Sequence, residues 1–340
     1  MAVIKDVAAL AGVSTGTVSK YLNNPQSLKK ETKKRVEEAI LQLKYKPSPL
    51  AQSMRTGKTN TVAVIVPDII NPFFAELYNH IRLSASLSGY TSILYTTEDN
   101  PYILKDCLSV VSMRQLDGII LCFLDEDETV EALIKDMQSQ TPIVLLGWDM
   151  SNTKFNSVIV DVFEGIFKAT QHLIDQGHKN IAYVGGPEND RISVEKYQGY
   201  ARAMASAGYE IYPSQVFRLS YTLQSGYQAA RRLTMQPQLP AALVAENDIL
   251  AIGSMKFFLQ NKIHIPEDIS VIGFDNIPLS LMYEPSLSTV SLPVEEMGKE
   301  AVQLLLRRIN RTVSKNTQVV LKTRLIVRNS TDRNAPHVFE

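Results

Sequence analysis

The sequence predicts an all-α head, a short linking helix and an α/β body built from two parallel-sheet lobes. Three observations predict it. Apolar residues fall at helical spacing through residues 1–45. From Thr61 onward, short continuous apolar runs alternate with amphipathic stretches, the pattern of parallel sheets covered on both faces. The zero net charge hides an asymmetry: residues 1–58 hold eleven Lys/Arg against four Asp/Glu, leaving 24 basic and 31 acidic residues for the rest. A basic head of +7 thus joins an acidic body of −7, and 340 residues suffice for two or three domains. The expected division is a head at 1–45, a linker at 46–60 and a body at 61–340.

With 45% hydrophobic and 21% charged residues, the composition excludes disordered and fibrous classes. Cys107 and Cys122 sit in apolar runs without metal-type spacing, so they are expected as reduced, buried thiols. The N-terminus lacks the pattern of a signal peptide, and the longest apolar runs fall short of the ~20 residues a membrane span needs. A cytoplasmic protein without a membrane partner is expected.

In the head, Ile4-Lys-Asp-Val-Ala-Ala-Leu-Ala11 predicts a first helix with Ile4, Val7, Ala8 and Ala11 on one face and Asp6 near the positive end of its dipole. Gly12 stops it. Ser14 can cap a second helix, Thr15–Leu22, that turns Val18 and Leu22 inward. A third, about Lys30–Leu43, brings Val36, Ala39, Ile40 and Leu43 against the first two. Two helices joined by a tight glycine-containing turn form the helix-turn-helix unit, whose second helix enters the DNA major groove. A small helical bundle that binds protein is the competing possibility. The basic charge and the short residues opening the second helix favour DNA.

The linker has the punctuation of one very short helix. Ser48 can cap it, Pro49 fits its first position and Gly57 can close it, with Leu50, Ala51 and Met54 on one apolar face and Gln52 and Arg55 elsewhere. Helices shorter than ~12 residues are marginal in water, so this one is expected to order only when something grips it.

Ile4-Lys-Asp-Val-Ala, Ala11-Gly-Val-Ser, Thr17-Val-Ser and Leu43-Lys-Tyr-Lys-Pro47 closely resemble the head of the lactose-repressor (LacI/GalR) family of bacterial transcription regulators. The resemblance continues through Ala51-Gln-Ser-Met-Arg, the family's hinge helix, and runs to about Val327. It implies Thr15, Gly16 and Lys20 as base-reading positions. Lys20 can donate to guanine O6/N7 and Thr15 can meet a base edge or a thymine methyl, while Gly16 offers only close backbone approach. Thr17, Ser19, Tyr21 and Asn23 are implied as phosphate or core residues. Val3 and Lys29 stand where the family often has hydroxyl caps, which softens the first and third helices. Met54 stands at the hinge position where the family usually presents a leucine wedge to the minor groove, with Leu50, Ala51 and Arg55 beside it. Packing of Met54 on its twofold mate is the alternative.

The body's strands are expected at Thr61–Pro67, Ser92–Tyr95, Gly118–Phe123, Ile143–Leu146 and Val158–Val160, then at Ile181–Val184, Ala242–Ala245 and Ile269–Phe274. Helices are expected near Phe163–Gln176, Val194–Ala207, Leu223–Leu233 and Asp248–Asn261, and one that Asn71-Pro72 starts. Two such sets imply two lobes, about 61–161 plus 293–320 and about 162–290 plus 321–330, with ligand at the facing carboxyl ends of the strands. The family's body likewise resembles a periplasmic sugar-binding protein. Strand ends nominate Phe73, Phe74, Trp148, Asp149, Asp190, Lys196, Tyr221, Asn247, Asp248 and Asp275 as cleft residues. The resemblance puts Phe73, Lys196, Tyr221, Asn247 and Asp275 at effector-contacting positions. Lys196 replaces the family's usual arginine and loses bidentate geometry. Asp190 and Ile192 depart from the purine-responsive branch, so a purine is not assumed. Asp275 is expected as an unpaired carboxylate facing a mobile Lys196 across the cleft mouth.

Catalysis finds little support, since GxGxxG after a strand, GxxxxGK[ST] and HExxH are all missing and Gly185-Gly186-Pro187 is half a phosphate loop. No cofactor or metal is expected. The expected protein is a homodimeric repressor of a pseudo-palindromic operator under a small-molecule effector, a sugar or sugar derivative. A nucleobase- or nucleoside-responsive regulator, or one dependent on a phosphoprotein corepressor, is the alternative.

Overall fold

The computed structural model describes residues 2–45, 57–123, 128–138, 141–147, 155–312 and 316–335, and the chain divides into two compact units, Met1–Thr59 and Asn60–Glu340. In the first unit α1 (Ile4–Ala11), α2 (Thr15–Asn23) and α3 (Lys30–Gln42) enclose Val7, Ala8, Ala11, Val18, Val36 and Ala39. The missing hydroxyl at Val3 is partly made good, because the Asp6 carboxylate accepts the Val3 N–H at 2.8 Å. Lys29 makes no side-chain cap on α3. Gly12 closes α1 at φ 62°, a conformation that costs glycine little. Arg35 of α3 donates to the Gly12 carbonyl at 2.8 Å and also to that of Ala11, satisfying oxygens orphaned at the helix end and clamping the turn into α2.

The second unit carries two six-stranded sheets. The first comprises β1 (Thr61–Val66), β2 (Thr91–Thr96), β3 (Gly118–Cys122), β4 (Ile143–Leu146), β5 (Asn156–Val160) and β11 (Gln318–Leu321), in the order β11-β5-β4-β3-β1-β2. The second comprises β6 (Ile181–Gly185), β7 (Val216–Arg218), β8 (Ala242–Ala245), β9 (Ser270–Asp275), β10 (Ser288–Ser291) and β12 (Arg324–Ile326), in the order β12-β10-β9-β8-β6-β7. Among the described residues pairing is parallel except between β10 and β12. The central strands are buried along their length, as the apolar runs require.

With the first sheet go α4 (Pro72–Leu87), α5 (Pro101–Met113), α6 (Glu128–Gln138) and α12 (Val294–Ile309). With the second go α7 (Val162–Asp175), α8 (Arg191–Ser206), α9 (Leu223–Thr234), α10 (Asp248–Gln260) and the short α11 (Pro278–Met282). Asn71 caps α4 by accepting the Phe73 N–H at 3.1 Å, and Phe73, Leu77, Ile81 and Ala85 form its buried stripe. α8 starts at Arg191 rather than Val194 because Asp190 caps it, accepting the Ile192 N–H at 2.9 Å. The chain passes between sheets after Val160, between Ser291 and Val294, and after Leu321. Strand order reverses between β1 and β3 in one sheet and between β6 and β8 in the other, which are the points where open α/β sheets place a ligand crevice outside the carboxyl ends of the strands. Cys107 and Cys122 are free buried thiols in separate apolar clusters, and burial pushes the Cys122 thiol well up. Among the described residues no helix is long and apolar enough to cross a membrane.

Candidate functional site

In the head, α2 turns Val18 into the core and presents Thr15, Gly16 and Lys20 outward as exposed residues. That strip suits insertion into a groove, because its residues stand exposed on the outer face of α2. The Thr17 hydroxyl lies 3.0 Å from Ser14 Oγ and its N–H donates to that oxygen at 3.1 Å, so it takes part in the helix cap. Ser19 is half-buried, and Tyr21 packs against the head core with its hydroxyl pushed up by burial and by Glu37. Leu50, Ala51, Met54 and Arg55 lie outside the described residues, as does the Asn23 side chain.

In the body, both sheet switch points carry nominated residues. At the first, Phe73 and Phe74 open α4 and meet Phe123, which follows β3. Their ring centroids are 5.2 to 6.1 Å apart in edge-to-face geometry. Phe123 went unnominated. A lone aromatic after an apolar strand is indistinguishable in sequence from one more core residue. Trp148 and Asp149 lie outside the described residues.

At the second switch point stands Glu246, fully buried at the end of β8. Its carboxylate accepts from the Gly186 N–H at 2.8 Å, Ser193 Oγ at 2.7 Å, Tyr221 Oη at 3.0 Å and Arg218 Nη1 at 3.1 Å, and from the Tyr183 hydroxyl. Gly186 permits this arrangement, since a Cβ there would overlap the Tyr221 hydroxyl. Tyr221 Oη also lies 2.7 Å from Asp190 Oδ2. Burial, then Glu246 and Asp190, push the Tyr221 hydroxyl well up, which keeps it a neutral donor. The sequence offered one signal for Glu246, a charged residue closing an apolar strand beside the nominated Asn247.

Asn247 is buried and caps α10, its Oδ1 accepting the Leu250 N–H at 2.8 Å. Asp248 does not face the crevice. It is buried, accepting from Thr289 Oγ1 at 2.6 Å and the Ile277 N–H at 2.9 Å, and burial followed by Asp275 pushes its carboxyl well up. Lys196 corrects its nomination as a mobile donor. It is 6% exposed, donates to the Glu246 carbonyl at 2.8 Å and sits 4.1 Å from the Phe274 ring centroid. It also stands on the same lobe as Asp275, because α8 and β9 both belong to the second sheet. Asp275 has a partner. Asn71 Nδ2, from the first lobe, donates to its Oδ2 at 3.4 Å across the crevice. Burial lifts the Asp275 carboxyl to about 6, against the lowering effects of Lys196 and Asn71.

Aromatic faces on one wall and carboxylates, amides and a tyrosine hydroxyl on the other can stack on a ring and accept from its hydroxyls or amines. With a helix-turn-helix head, such a crevice defines a DNA-binding regulator governed by a small ligand. Residues 3–48 match the family described as "Bacterial regulatory proteins, lacI family", and residues 170–331 match a "Periplasmic binding protein-like domain". The HTH-type transcriptional repressor PurR of Histophilus somni (strain 2336) is 32% identical over 330 residues, covering 97% of this chain and 99% of its own. A solved transcriptional regulator CelR–cellobiose complex is 29% identical with a TM-score of 0.74, over 97% of this chain and 100% of that one. The lac repressor dimer bound to operator and the anti-inducer ONPF shares the fold, with a TM-score of 0.88 at 23% identity, over 97% of this chain and 99% of that one. The chain belongs to the LacI family of bacterial regulatory proteins. It is a DNA-binding transcriptional repressor controlled by a small-molecule effector.

Proposed function

We propose that the protein acts as a homodimer in which paired heads read the half-sites of a pseudo-palindromic operator with Thr15, Gly16 and Lys20. In this reading Met54, with Leu50, Ala51 and Arg55, forms a hinge element that opens the central minor groove. The effector enters the crevice between the lobes, against Phe73, Phe74, Tyr221, Asn247 and Asp275, with Asp190 at its edge and Lys196 buried behind it on the Glu246 carbonyl. A neutral, hydroxyl-rich ligand such as a sugar suits these walls. The single observation that carries this is the pairing of three edge-to-face phenylalanines on one lobe with Asp275 on the other. The name PurR keeps a nucleobase in view as the alternative, and stacking on the same aromatic faces is what favours it. A thermal-shift screen of sugars, sugar phosphates and nucleobases separates the two. A ligand at 100-fold over its dissociation constant raises stability by ~2.7 kcal/mol, and a shift confined to phosphorylated ligands would overturn the neutral-sugar reading.

Lys20 carries base specificity in this proposal, on the strength of its exposed position one turn beyond Gly16. Lys20→Ala is expected to cost ~1–3 kcal/mol on the cognate operator and to flatten preference at one base pair per half-site. Binding titrations against the operator and random DNA check it. Equal loss on both would reduce Lys20 to a phosphate contact.

A further inference from the structure

Asp275 closes β9 with φ 111° and Asn276 follows at φ 59°, two successive non-glycine residues in the left-handed half of backbone space. Such backbone persists only where its surroundings over-determine it. Part of the hold comes from β10. The Asn276 N–H donates to Thr289 Oγ1 at 3.3 Å, and its side-chain amide donates to Ser291 Oγ at 3.4 Å. Another part comes from α10, where Asp248 accepts the Ile277 N–H at 2.9 Å. The last part comes from far along the chain. Arg328 Nη2 donates to Asn276 Oδ1 at 2.7 Å, while its Nη1 donates to Ser280 Oγ and to the Leu287 carbonyl, each at 2.9 Å. The backbone of Arg328 is pinned as well, its N–H donating to Ser288 Oγ at 2.7 Å. Arg328 is 8% exposed, so its guanidinium has left water for this geometry. A planar fork spanning Ser280, Leu287 and Asn276 is something a lysine cannot reproduce.

We propose that Arg328 is the positioning residue of the effector site: it fixes Asn276, and through Asn276 the turn that directs the Asp275 carboxylate toward the opposite lobe. The functional meaning rests on the assignment of Asp275 as an effector contact. Arg328 follows β12 in the second sheet, so a residue more than fifty positions along the chain holds the turn that carries the effector carboxylate.

Amide hydrogen exchange on the full-length protein, with no small molecule added, tests the hold directly. Asn276→Gly is the decisive variant. Glycine adopts φ 59° without strain, so the backbone is retained while Arg328 loses its acceptor. Exchange at residues 276 and 277 is expected to quicken about tenfold or more, with the rest of β9 unchanged. Arg328→Lys should loosen the same two amides. Unchanged exchange there in Asn276→Gly, or protection lost evenly across the second sheet, would overturn the proposal, the latter because it marks a merely structural role. The assignment of Asp275 fails separately, through an Asp275→Ala protein whose operator binding keeps its full response to the molecule that the thermal-shift screen identifies.

Discussion

Asp275→Ala is expected to uncouple operator affinity from the effector while leaving effector-free DNA binding near that of the wild type. Asp275 stands at the end of β9 where Asn71 of the other lobe reaches it at 3.4 Å, so a ligand between the lobes must engage or replace that contact. An effector shifts the DNA equilibrium only by its differential affinity for the two lobe arrangements, typically ~1–3 kcal/mol, and removing the carboxylate removes the differential. Operator titrations with and without the effector, for both proteins, decide it. A full effector response in the variant would place the site elsewhere.

The same carboxylate makes a pH prediction. Its folded pKa of about 6 lies above its ordinary value of 3.8, so the folded state binds the proton more tightly than the unfolded chain does. The stabilisation is fully present below the ordinary value and is lost as pH rises through about 6. Asp275→Asn escapes that loss. It should be more stable than wild type by about 3 kcal/mol near pH 8 and no different near pH 3. Parallel denaturant titrations at the two pH values test this. A gain that persists at the acid end would mean that the amide stabilises by some other route.

Glu246→Ala is expected to cost the body ~3–5 kcal/mol, because removing one partner of a buried charged cluster leaves the others uncompensated. Arg218, Ser193, Tyr183, Tyr221 and the Gly186 N–H would all lose their shared acceptor at a position that is fully buried. Glu246→Gln should cost less, since it retains an oxygen for the hydroxyls and forfeits the charge opposite Arg218. Urea unfolding of the three proteins measures both effects. A cost below about 1 kcal/mol for the alanine variant would mean that the cluster relaxes without its centre.

The helices and central strands were legible because their signals are local. Asn71-Pro72 and Ser14 mark helix starts by hydrogen bonds to the next turn, and β1 and β8 announce burial by unbroken apolar runs. Strand ends then nominated Phe73, Tyr221, Asn247 and Asp275, because parallel strands deliver their carboxyl ends to one side of a sheet. The character of Lys196 was not legible. Its spacing in α8 was clear, but its burial depends on the Glu246 carbonyl, fifty residues later in the chain. Glu246 itself reads as one acid among many until β6, β7 and β8 lie side by side and bring five donors onto it.

What the amino-acid order determined alone is where the head helices, the first body helix and the central strands lie, which face those helices bury, and that a basic head precedes an acidic two-lobed body. Those properties rest on neighbours within one or two turns, where backbone geometry sets the distance. Only the tertiary structure decided which polar groups are tied up and which face the crevice. Arg35 reaches back to the Gly12 carbonyl, Arg328 to Asn276, and Asn71 across the lobes to Asp275. Each joins residues that the chain keeps far apart, and a buried donor takes whichever acceptor the packed sheets leave within reach.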